Sequence, residues 1–181
     1  MDSPEACLGA KTRLGEKTKE EYCVYNADDD FIIPNSIDKC VDFLDANPDY
    51  GGVGGLAIAC GIDADVHTKV DSAWRYDVPE LFKETATERV YELTTKKGVV
   101  LYSLARTEQF KKMFPAHEEN VDLATANELL PCAVLAAQGK VKMLHDLFVV
   151  RQIHHRRVIL PMLFETMVGP YWASSTNNRL S

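Results

Sequence analysis

Three consecutive aspartates, Asp28, Asp29 and Asp30, follow the aromatic and β-branched run Tyr22-Cys23-Val24-Tyr25. Like charges at that density repel, and the pKa of one would rise unless a cation or hydrogen-bond donors compensated it. A divalent ion is a simple compensation, because Mg2+ and Mn2+ prefer hard carboxylate oxygens. If the triplet sits at the end of a strand, residues two apart point to the same side. Asp28 and Asp30 would then face one ion together while Asp29 points elsewhere. A metal held this way clamps a diphosphate and stabilises its departure as a leaving group. The bland reading of the same residues is a solvated acidic turn with a favourable charge effect near a helix N-terminus, and spacing alone favours it.

The elements around the triplet give it a context. Tyr22–Tyr25 has the composition of a buried strand. Phe31-Ile32-Ile33-Pro34 reads as an extended link, since a residue before proline avoids the helical region. Asn35 or Ser36 can cap a helix, and Ile37, Cys40, Val41 and Leu44 fall on one helical face. Asn47-Pro48 stops it. Gly52 to Ile62 alternates as a strand. The order strand, acidic turn, helix, strand predicts a βαβ-type unit, whose ligands collect at the carboxyl ends of the strands.

Further along, Asp63 to Pro79 is polar and predicts a surface loop carrying Trp74 and Tyr76, whose rings could stack on a sugar or base or simply cover the core. Helices are predicted over Glu80–Thr95, Thr107–Phe114 and Leu130–Gln138, the last with Pro131 in its first turn and Gly139 as its C-terminal cap. Strands are predicted over Val99–Leu104, Val141–Leu144 and Leu147–Ile153, the last two as a hairpin through His145-Asp146. A final helix is predicted near Leu160–Val168, with a frayed tail from Ser174.

Composition narrows the function classes. The chain has 181 residues, 46% of them hydrophobic, enough for one ordinary globular core. The formal net charge of -7 argues against a nucleic-acid partner, whose phosphates need Lys and Arg. Five cysteines, at 7, 23, 40, 60 and 132, are odd in number and widely spaced, with no C-x-x-C pair. Cys23, Cys40, Cys60 and Cys132 lie among apolar neighbours and read as core thiols of a reducing compartment. Met1 to Lys19 is polar and lacks an apolar signal region, and no apolar run approaches a membrane span, so the expectation is a soluble, cytoplasmic protein. Gly52-Val53-Gly54-Gly55 lacks the third glycine of a dinucleotide loop. The stretch from Asp63 lacks the glycine of a calcium loop, and Trp74 stands at its closing acidic position.

The run Tyr22 to Pro34, with Asn26-Ala27-Asp28-Asp29-Asp30-Phe31 at its centre, resembles the aspartate (DXD) motif of family 2 inverting glycosyltransferases. The likeness continues through Ser36, Cys40, Phe43-Leu44, Asn47-Pro48-Asp49-Tyr50, Val53 and Gly55. It includes Tyr102-Ser103-Leu104 with Arg106-Thr107, and Gly139-Lys140-Val141 followed by Leu147-Phe148-Val149-Val150-Arg151. It spans roughly Lys19 to Arg157 and is nearest to a bacterial glycosyltransferase-domain subgroup. The resemblance implies an α/β GT-A fold, a mixed sheet flanked by helices, over residues 21–157, between a polar leader or helix at 1–20 and a C-terminal helix and tail at 158–181.

It also implies site roles. Asp28 and Asp29 would bind the nucleotide-sugar donor. Asp30 with Asp28 would hold Mn2+ or Mg2+ on its diphosphate, and His154 (or His155) would complete the metal site. Glu128, just before the Pro131 helix, would be the base that takes the acceptor hydroxyl proton, with Asp122 the second choice. The family's usual acidic pair is Asn127-Glu128 here. Near a helix N-terminus, Glu128 is also favourable on electrostatics alone. The βα units that precede the motif in a GT-A domain are not matched by residues 1–20, which leads to the expectation of a truncated member with an unpaired sheet edge and homo-oligomerisation through it. Two function classes follow: a metal-dependent glycosyltransferase, whole or remnant, and a non-catalytic binding or assembly module. A phosphatase with an aspartate nucleophile rests only on aspartates after a strand.

Overall fold

A computed structural model describes residues 17–62, 69–96, 98–114 and 128–154. Among them a six-stranded mixed sheet and four helices form a mixed α/β fold. The elements are β1 (Tyr22–Cys23), β2 (Phe31–Ile32), α1 (Pro34–Ala46), β3 (Tyr50–Ile62), β4 (Val70–Tyr76), α2 (Ala86–Lys96), β5 (Leu104–Arg106), α3 (Thr107–Met113), α4 (Leu130–Gln138) and β6 (Lys140–His154). None of the described helices is long and apolar enough to cross a membrane.

The sheet is built on β3 and β6, which run parallel over their whole lengths. β5 lies antiparallel between β1 and β3, so β1 and β3 run parallel with one strand between them. The expected βαβ arrangement around α1 is present in that spaced form. β2 closes the other side against β6, and β4 pairs with the distal half of β3. The core lies where α1 and α4 meet the sheet, around Leu44, Val53, Leu81, Val100, Leu135, Val141 and Phe148.

The helices follow their sequence signals with instructive shifts. α1 begins at Pro34, and its buried stripe is Ser36, Cys40 and Leu44. Neither Asn35 nor Ser36 caps it: Ile33 holds the cap position, and the Ser36 hydroxyl instead donates to the Leu147 carbonyl of β6. α2 begins at Ala86, not at Glu80, because Thr85 and Glu88 form a reciprocal capping box, each bonding the other's backbone N–H. Leu81, inside the predicted helix, bridges Val141 through two backbone hydrogen bonds of 2.9 and 2.8 Å.

The strands depart further. Val70–Tyr76 is a strand, not loop, and pairs with β3. It is exposed along almost its full length, so no buried face marks it in the sequence. Of Val99–Leu104 only Leu104 is strand, continuing to Arg106. The predicted hairpin through His145-Asp146 is one strand, β6, with a bulge there: Gly54 aligns with Met143, and Leu56 with Leu147. Gly55 is required at that bulge, since a Cβ on it would lie 2.3 Å from the Asp146 carbonyl oxygen. Gly139 ends α4, but its backbone is extended, not left-handed. It is there for space, because its Cβ would lie 2.4 Å from the Gly51 nitrogen. The Leu160–Val168 helix lies outside the described residues.

Candidate functional site

The acidic residues do not continue a strand. β1 ends at Cys23, and Asp28 and Asp29 occupy a turn before β2. The Asn26 side-chain amide donates to the Asp30 carbonyl (3.0 Å), and the Asp30 N–H donates to the Ala27 carbonyl (3.3 Å). The two-residue period that placed Asp28 and Asp30 side by side therefore does not operate. Asp28 is exposed, Asp29 half-buried and Asp30 buried.

Asp30 is the anchor of the turn. Its Oδ2 accepts a 2.6 Å hydrogen bond from the Tyr102 phenol, and its Oδ1 accepts the Gln152 backbone N–H at 2.9 Å. Arg151 Nε stands 3.5 Å from Oδ2 without hydrogen-bond geometry, so that attraction is Coulombic. The Asp30 side chain is only 2% exposed, and a lone carboxylate could not be buried so deeply without such partners. The charge compensation that the aspartates demand is thus met, for Asp30, by an arginine and two donors.

Arg151 is the centre of the arrangement. Its guanidinium carbon lies 4.9 Å from the ring centroids of both Tyr76 and Tyr102, a geometry in which the ring faces attract the cation. Burial works against its charge, but Tyr102, Tyr76, Asp30 and Glu128 outweigh it and hold its pKa above the usual arginine value. Burial likewise raises Tyr102, opposed by Arg151 and assisted by the bond to Asp30. Burial raises Tyr76, which also feels Arg151 and Glu128.

Glu128 lies half-buried ahead of α4, within electrostatic reach of Arg151, Tyr76 and Cys132. Arg151 thus pairs with Asp30, which lies more than a hundred residues before it in the sequence, and the charge of Glu128 acts on the same guanidinium without an ion pair to it. Asp122 and His155 lie outside the described residues. His154 is the last residue of β6, opposite Ile62, and its side chain lies outside them too. Among the described residues no cluster of three or more His, Cys, Asp or Glu side chains is close enough to hold a metal. Asp28 and Asp29 are adjacent in the turn, and Mg2+ commonly uses only one or two carboxylates alongside substrate phosphates.

Sequence reasoning gave no role to Tyr102 or Arg151. The signal was present: Arg151 ends the apolar run Leu147–Val150 inside a strand, and a charge in that position needs a partner. No known family matches the chain, and no curated protein matches it either.

Proposed function

We propose that this chain is a nucleotide-sugar-binding domain of the GT-A glycosyltransferase type, with the acidic turn as its metal–diphosphate corner. The observation that supports it is the buried Asp30, fixed by Tyr102, the Gln152 N–H and Arg151, at the end of a turn that carries Asp28 and Asp29. In this reading Asp30 is a positioning residue that fixes the turn, and Asp28 and Asp29 meet the donor. Mn2+ or Mg2+ held there would offset the charge of a departing diphosphate. His154 is the proposed third ligand.

Glu128 takes the acceptor hydroxyl proton, with Asp122 as the alternative base. A second copy would add to a sheet edge: among the described residues β1, β2 and β4 each pair on one side only.

Calorimetry with Mn2+ and uridine or guanosine diphosphate tests the reading. Binding that Asp28→Asn abolishes, without a change in thermal stability, supports it. The second reading, a non-catalytic module on the same fold, is favoured by one observation: the Asp30 carboxylate is already satisfied by protein groups. It predicts no nucleotide binding at millimolar concentration with or without Mn2+.

A further inference from the structure

The distal half of the sheet is buried on one face and half-open on the other. In β3, Ala57, Ala59 and Gly61 are buried, while Ile58, Cys60 and Ile62 are half-buried. The small residues thus face inward and the larger apolar ones outward, the reverse of what a solvated face selects. The register carries that outward face across four strands. Phe31, Val150, Ile58 and Arg75 stand in one row, and Ile62 pairs with Val70 further along. Phe31 is 57% exposed and Val70 53%. On the inward face Ile32 and Tyr76 pack against the hydrophobic core; among the described residues Phe31, Val70, Ile58, Cys60, Ile62 and Val150 do not. β3 and β6 pair in parallel here, and parallel strands are ordinarily covered on both faces.

The sequence supplies a cover that starts at the rim of this face. β6 ends at His154, opposite Ile62, and residues 155–181 follow it. After His155-Arg156-Arg157 the chain turns apolar. Leu160, Leu163, Phe164, Met167 and Val168 have the spacing of one helical face, and Pro161 suits a first turn. A helix over 160–168 has a length of about 13 Å at about 1.5 Å per residue. The outer strands β2 and β4 are separated by roughly 14 Å, at about 4.8 Å per strand step. We propose that residues 158–168 fold back over the outward face of β2, β6, β3 and β4, with their apolar stripe on Val150, Ile58 and Cys60. A second copy seated there would leave that apolar run without a partner. The contact braces Phe31, the residue after Asp30, and so ties the segment to the acidic turn. It does not rest on the glycosyltransferase reading.

A photo-cross-linker in the full chain identifies what sits on the face. Replacing Phe31 by p-benzoylphenylalanine keeps an aromatic ring at an exposed position, so folding is not at stake. The expected product after irradiation is a monomer whose mapped link lies within residues 158–168. A cross-linked dimer, a link to any other segment of the chain, or no link overturns the proposal. Cys60 gives an independent reading, because its thiol lies on the covered face. Brief iodoacetamide labelling with mass mapping compares the unaltered chain with a Leu163→Asp, Phe164→Asp variant. Labelling of Cys60 should be severalfold faster in the variant. Cys23, half-buried on the far edge strand β1, should label at an unchanged rate. An unchanged Cys60 rate, or Cys60 protection that grows with protein concentration, overturns the proposal.

Discussion

The Tyr102 phenol donates a 2.6 Å hydrogen bond to Asp30 Oδ2 and lays its ring against Arg151, which pairs with that same oxygen. Three groups from three distant parts of the chain are therefore interdependent. Tyr102→Phe removes one donor and leaves the ion pair, for an expected loss of about 1–3 kcal/mol. Asp30→Asn leaves Arg151 largely buried without its ion-pair partner, for an expected loss of about 3–5 kcal/mol. Urea unfolding of both single variants and the double variant should show non-additivity. Strict additivity would mean that the two residues do not share a network.

A second cation is wholly structural. Arg89 is buried, and its guanidinium donates to the carbonyls of Ala136 (2.7 Å), Lys83 (2.9 Å), Glu84 (2.8 Å) and Ala137 (3.2 Å). Two of these acceptors belong to the last turn of α4, where a cation also suits the helix dipole. Arg89→Met keeps the apolar stem but orphans the carbonyls, and should cost about 3 kcal/mol in denaturant unfolding. Arg89→Lys should recover only part of that, because one ammonium cannot span four acceptors.

Gly54 and Gly55 are neighbours in sequence with different tolerance. A Cβ on Gly55 would meet the Asp146 carbonyl oxygen at 2.3 Å and the Phe148 Cβ at 2.9 Å, whereas on Gly54 the nearest atom is the flexible Met143 Sδ at 3.2 Å. Gly55→Ala should destabilise by about 1–3 kcal/mol. Gly54→Ala should be far milder. Thermal melts of the pair check the bulge assignment directly.

Acid should weaken the fold partly through Glu80. Burial raises its pKa, but the Lys142 ammonium and the Met143 N–H outweigh that and hold it below the ordinary 4.5. A folded-state pKa below the unfolded value contributes stability that is present above about 4.5 and lost as pH falls through the folded value. The Glu80–Lys142 pair is partly exposed, so solvent screening limits the effect to about 0.5–1 kcal/mol. Glu80→Gln should lower stability by that amount at neutral pH and flatten its pH dependence below 4.5.

Burial pushes the Cys40 and Cys132 thiols up to about 12. Only the thiolate reacts readily. Mass mapping after brief iodoacetamide treatment should find both unlabelled in the native chain and labelled once it is unfolded. Native labelling of either would contradict its place in the core.

The strongly periodic parts of this fold are legible in the residues. The α1 face at Cys40 and Leu44, the apolar α4 and the alternation of β3 all emerge near their observed limits. What is not legible has a physical cause in each case. β4 has no buried face to create alternation. The bulge at His145-Asp146 imitates a turn because polar residues interrupt an apolar run. The start of α2 was written in Thr85 and Glu88, a capping pair outweighed by the apolar residues upstream. At the site, the importance of Asp30 was legible from its density of like charge. Its partners were not, because Tyr102 and Arg151 meet it only through the sheet.

The most direct test of the central claim is paramagnetic: amide spectra of the isotope-labelled chain with trace Mn2+, with and without uridine diphosphate. The account predicts broadening centred on residues 26–31 and on Arg151-Gln152, strengthened by the nucleotide and absent in an Asp28→Asn, Asp29→Asn variant. Broadening centred elsewhere, or indifferent to those two substitutions, would contradict it.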